Sequence, residues 1–111
     1  MKPNLRSAAV AAILAVSAFG VRAGAEERHV FVGGADVAAA HARIVHAARI
    51  VCEAEYVRGA HRRRELVECI QATTDDAVTQ ARRADLAAYH HAMAAEERYR
   101  DRYQTTVAAV G

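Results

Sequence analysis

The sequence predicts a mainly all-α fold: a disulfide-stapled antiparallel helical hairpin, a third C-terminal helix and a short N-terminal extended segment. Three observations predict it. Apolar residues recur at helical spacing in two stretches, over residues 37–52 and 66–81. Gly59 stands between them, where a helix end favours glycine. Both cysteines of the chain, Cys52 and Cys69, fall on those two apolar stripes.

The first element is one the mature protein is expected to lose. Lys2 and Arg6 give a short cationic start, residues 7–21 are apolar, Ala-rich and uncharged, and small residues then lead into Glu26-Glu27. That three-part order reads as a signal peptide over residues 1–25, with cleavage after Ala25 or Ala23. The apolar run falls short of the roughly 20 residues needed to span a bilayer. Charge follows from this division. The whole chain is +2 from 15 basic and 13 acidic residues, and Lys2, Arg6 and Arg22 leave with the leader. Residues 26–111 therefore carry three fewer basic residues against the same 13 acidic ones, a net charge near −1. The alkaline pI of 8.8 belongs to the leader, and nucleic acid is not an expected partner.

Residues 26–111 form one small domain with little bulk to bury. Past residue 26 the large apolar side chains include only Leu66, Leu86 and Phe31 besides a few Ile, Val, Met and Tyr, and alanine is abundant. Alanine favours helix and buries little area, so a domain of this size calls for a cross-link, a metal or a partner chain.

Residues 29–32, His-Val-Phe-Val, favour an extended segment closed by Gly33-Gly34. Asp36 is placed to cap the first helix, in which Val37, His41, Ile44, Ala48, Val51 and Cys52 share a stripe. That helix is expected to run to about Tyr56. The second begins near Arg62 and turns Leu66, Cys69, Ile70, Thr73, Ala77 and Ala81 to one side. Asp85 is placed to cap a third helix that carries Leu86, Tyr89, His90 and Met93 on one face. No glycine or proline separates the second and third helices, which leaves a continuous or a kinked path open.

An antiparallel hairpin about Gly59 brings Cys52 and Cys69 opposite each other near its closed end, and outside the cytoplasm two such thiols pair. Closing the loop between them contributes about 3 kcal/mol on the chain-entropy account. A redox site would show Cys-x-x-Cys, and a zinc site would need four ligands; the spacing matches neither pattern.

Arg43-Ile44, Ala47-Ala48 and Val51-Cys52 resemble the RI-x-x-AA-x-x-VC block of the UrcA family, and Cys69, Ala77-Val78, Leu86 and His90 follow at that family's offsets. The resemblance covers about residues 30–91. It departs at Val30 to Asp36, which is shorter than the family's segment and lacks its Asp-Leu, and at Thr73, where alanine is common. The resemblance implies a small exported protein of Gram-negative bacteria without established enzymatic activity.

His41 and His46 lie about 140° apart on a helix and cannot chelate together, and His90 and His91 diverge by about 100°. His41 and His90 both face inward and meet if the first and third helices pack, which makes them the pair for an alternative reading as a metal or ligand binder. Arg62, Arg63 and Arg64 form a basic cluster suited to weak contact with an anionic membrane surface. Asp75-Asp76 read as a solvated face, and Glu96 with Arg100 as an i,i+4 pair. Residues 26–111 contain no serine and no phosphate-binding glycine loop, so no active site assembles. The expectation is a non-enzymatic envelope or periplasmic protein with no cofactor. Its partner would be an envelope component or a second copy, met through Tyr99, Tyr103, Val107 and Val110.

Overall fold

The structure is a computed structural model that describes residues 18–57 and 63–103. It is mainly helical with a small antiparallel sheet. Strands β1 (Ala18–Ala23) and β2 (Glu26–Phe31) are followed by helices α1 (Val37–Val57), α2 (Arg63–Ala81), α3 (Ala84–Ala92) and α4 (Ala95–Arg98). The pairing register runs from Ala18 opposite Phe31 to Ala23 opposite Glu26, which leaves a two-residue turn, Gly24-Ala25. Gly24 sits at φ +56 and Ala25 does not share that sign, the pattern of a turn whose first central residue is glycine. A Cβ at residue 24 would stand 2.6 Å from the Glu55 carboxylate, so this turn presses on the last turns of α1.

The expected extended segment is present and longer than residues 29–32. It pairs with a strand that the sequence reading had placed in the leader. Of residues 1–25, residues 1–17 lie outside the described residues, and 18–25 form β1 and the hairpin turn. Alternation does the rest. Phe19, Val21 and Ala23 share the sheet's inner face with Arg28 and Val30, and Val21 is 1% exposed. The inner face lies on α1, and β1 also reaches α2.

Asp36 accepts the backbone N–H of Ala39 at 2.9 Å, an N-terminal cap of the expected kind. The α1 stripe then buries His41, Ile44, Ala48, Val51 and Cys52, and Ala40 and Ala47 join it. Facing them are Thr73, Thr74, Ala77 and Val78 of α2 and Leu86 of α3. Small side chains at this seam let backbones approach closely, which raises contact density where bulk is lacking. At one end of the seam Cys52 and Cys69 are joined, S–S 2.14 Å and Cα–Cα 5.9 Å. The hydroxyl of Thr73 donates to Cys52 Sγ at 3.5 Å and lies 3.8 Å from Cys69 Sγ. Gly59 and Arg62 lie outside the described residues.

The path between α2 and α3 is broken, and by a residue the sequence did not flag. Arg82 takes φ +52, the left-handed conformation that glycine usually supplies after a helix end, and its N–H bonds the Thr79 carbonyl at 3.3 Å. Asp85 does not cap α3. Arg83 occupies the cap position in extended conformation, and Asp85, inside the first turn, receives its guanidinium through Nε and Nη2 at 3.0 and 2.7 Å. The remaining Nη1 of Arg83 donates to the carbonyls of Val32 and Ala35 at 3.1 and 3.0 Å. One side chain thus ties the start of α3 to the loop after β2. In that loop Gly34 sits at φ +78 as third residue of a turn closed by Ala35 N–H on Val32 O, where positive φ is required.

Replacing Arg82 with glycine relieves the left-handed strain without touching the core. Arg82→Gly is expected to raise unfolding free energy by about 0.5–1 kcal/mol, read as a higher denaturant midpoint at unchanged slope; a lowered midpoint contradicts the assignment of the break.

Candidate functional site

Two polar clusters rest on this framework, each built on a histidine of α1. The first is interior. His41 follows the α1 stripe and His90 the α3 stripe, so both are carried into the core beside Ile44 and Leu86, at 3% and 0% exposure. His41 Nε2 and His90 Nδ1 stand 2.8 Å apart. His90 Nε2 lies 2.7 Å from Asp75 Oδ1 on α2, and the Tyr99 hydroxyl donates to both Asp75 oxygens at 2.9 and 3.1 Å. Counting protons assigns the tautomers. An ionised carboxylate only accepts, so His90 carries its hydrogen on Nε2 and offers a bare Nδ1, which accepts Nε2–H of His41. The Tyr89 ring meets His41 edge-on with centroids 5.4 Å apart, and the Tyr99 ring does the same to His90 at 5.6 Å. A single chain of hydrogen bonds therefore links α1, α3, α2 and the segment after α4.

Burial, helped by the neighbouring His90 and Arg102, pulls His41 from 6.5 to about 4. Burial also lowers His90, against the opposing pull of Asp75, and raises Tyr99, which is further held protonated by its bond to Asp75. Both imidazoles are neutral near pH 7. Their facing nitrogens share a proton and the outer nitrogen of His90 is spent on Asp75, so a metal ion would have to break the network to bind. Among the described residues no group of three His, Cys, Asp or Glu is arranged to hold one. The cysteines are joined, and the network turns no nucleophile toward solvent.

The second cluster is at the surface, where β2, α1 and the C-terminal segment converge. His46 Nδ1 donates to Asp101 Oδ2 at 2.9 Å, and Asp101 Oδ1 takes the Tyr103 N–H at 3.0 Å. The Tyr103 ring lies 4.5 Å from that of His46. Arg43 Nη1 donates to the Phe31 carbonyl at 3.1 Å. Phe31, Arg43, His46 and Tyr103 line an open groove of about 390 Å³ with Arg28, His29, Val30 and Ala47.

The inward meeting of His41 and His90 is as the helical wheels require, and His46 points away from them as expected. Asp75 corrects the sequence reading. The helical wheel puts it on a solvated face, yet its half-exposed carboxylate holds both His90 and Tyr99. Asp101 was missed altogether. Neither carries a sequence signal, because His90 and Tyr99 stand 15 and 24 residues from Asp75, and His46 stands 55 residues from Asp101. Tyr99 and Tyr103 close over the chain's own histidines, while Val107 and Val110 lie outside the described residues. Arg100 pairs with Glu97 at 3.0 Å rather than with Glu96. Arg63 and Arg64 stand exposed at the start of α2.

Fold and clusters define a small, disulfide-tied, mainly helical domain with an internal histidine network. Comparison with protein-family models, with curated proteins and with solved structures found no match.

The histidine pair makes a pH dependence of defined sign. Facing it are Asp75 from α2, Tyr89 and His91 from α3, Arg98 from α4, and Tyr99 and Arg102 beyond. Because the folded state lowers both imidazoles, the unfolded chain binds protons first, and stability is lost as pH falls from about 6.5 towards 4. The loss from His41 alone is roughly 2–4 kcal/mol. Urea midpoints measured across that window are expected to fall steadily, and His41→Gln to flatten the slope. A midpoint that holds or rises on acidification contradicts the network.

Proposed function

We propose that this chain is an exported, UrcA-like envelope protein that works by binding or as a structural component and not by catalysis. The observation that carries the reading is the Cys52–Cys69 disulfide, a bond that persists in oxidising compartments. The apolar segment behind Lys2 and Arg6 supports export, as do the absence of any helix long and apolar enough to cross a membrane among the described residues and the ordered Arg43-to-His90 motif. The non-catalytic part rests on the way the strongest polar network is consumed inside the protein. The antiparallel course of α1 and α2 belongs to the same reading: Cys52 of late α1 meets early α2, while His41 of early α1 is bridged by His90 to Asp75 of later α2.

Processing has a structural consequence. Both expected cleavage positions, after Ala23 and after Ala25, border the exposed Gly24-Ala25 turn, and either cut separates β1 from β2. The seat of Val21 and Ala23 on α1 and α2 then lies open, and a second copy of the chain is the occupant this reading assigns to it.

Fractionation of the producing cell with N-terminal sequencing tests the proposal. The expected product lies outside the cytoplasm, begins at Gly24 or Glu26, and sediments as more than a monomer. A cytoplasmic chain still beginning with Met1 would sink the exported reading.

A further inference from the structure

The groove beside His46 has the chemistry of a ligand site. Its charge is one-sided: Arg28 and Arg43 line it, and none of its lining residues is acidic. The Arg28 side chain makes no hydrogen bond or ion pair among the described residues. Arg43 spends one nitrogen on the Phe31 carbonyl, which fixes its stem along β2 and leaves the rest of the fork. Asp101 is not itself presented to the groove, since its carboxylate side chain is 4% exposed and its oxygens accept from His46 and the Tyr103 N–H. That same bond orients the His46 ring and leaves its Nε2 without a partner among the described residues. The walls are aromatic. Phe31 and Tyr103, two of the three large apolar side chains most exposed among the described residues, flank the opening, with Val30 and Ala47 beneath.

Guanidinium forks recognise carboxylates through paired N–H donors, and flat apolar walls favour a ring. The volume, about 390 Å³, lies within the range of small-molecule sites and beyond what an inorganic anion requires. We infer that the groove between β2, α1 and Tyr103 binds a small aromatic carboxylate, its carboxylate on Arg28 and Arg43 and its ring between Phe31 and Tyr103. This goes beyond the exported-protein reading, and every residue named lies after the expected cleavage positions. Export without binding, or binding without export, separates the two.

The test is titration of the purified full protein with 4-hydroxybenzoate and phenylacetate, followed by calorimetry and by the NMR shifts of the His46 ring. Saturable binding with a Kd of about 0.1–1 mM is expected. Acetate, inorganic phosphate and benzylamine are expected to bind at least about tenfold more weakly, a difference of about 1.4 kcal/mol. Arg28→Gln and Arg43→Gln should each lose about tenfold, Tyr103→Ala should lose the preference for aromatic over aliphatic acids, and Arg63→Gln should change nothing. Circular dichroism checks that each variant folds. Should Arg43→Gln fail, Arg43→Lys keeps the charge without the fork and Arg28→Gln stands alone. No saturable binding, or binding that survives both glutamine variants, overturns the site. Equal affinity for phosphate or acetate overturns its aromatic part, and recruitment only to phosphatidylglycerol vesicles overturns it in favour of a lipid surface.

Discussion

An interior made largely of alanine and valine holds helices together only where their backbones come close, and the Cys52–Cys69 bond sets that approach. With Cα atoms 5.9 Å apart at the bond, α1 and α2 are pinned in a geometry that lets Ala48, Val51, Ala77 and Val78 touch. Each of those side chains contributes little on its own. The covalent link removes much of the conformational freedom their contacts would otherwise have to offset. The His41–His90–Asp75 chain depends on the same seam. Burying the two imidazoles costs several kcal/mol unless each finds its partner, and the partners coincide only when α1, α2 and α3 are held in one register.

Much of the helical architecture was legible from residue spacing. Asp36 caps α1 as its side chain and position require. The stripe from Val37 to Cys52 is inward, and His41 and His90 meet because both belong to apolar stripes. The cysteine pair was legible for a further reason: two thiols alone on two inward faces have few other uses. What escaped the reading was decided by tertiary context. β1 was hidden because Ala18 to Ala23 continues an Ala-rich apolar run that reads as a leader, and its alternation of Phe19, Val21 and Ala23 is too short to stand out. Arg82 adopts a backbone conformation that its side chain does not favour, and only the packing of α3 on α1 makes that worthwhile. Asp75 looks solvated because a wheel shows one helix at a time, and its partners come from α3 and from the segment after α4.

The two histidine clusters divide the molecule's chemistry between inside and outside. Along the chain from His41 through His90 to Asp75 and Tyr99 each donor finds an acceptor, and the result is an organised interior that weakens with acid. Around His46 the protein satisfies the carboxylate of Asp101 and leaves two arginines facing a groove with aromatic walls. The same residue type thus serves cohesion in one place and a receptive surface in another, according to whether the stripe of α1 points it inward or beside β2.

The bond between the two cysteines is the claim on which all of this stands, and tryptic mapping of the native protein without reductant tests it most directly. Arg58, Arg62, Arg63 and Arg64 lie between Cys52 and Cys69, so the protease cuts the connecting segment and leaves the sulfur link to hold the fragments together. One cross-linked species carrying both cysteines, separating on reduction, is the expected result. Two separate peptides with alkylatable thiols would contradict the bond.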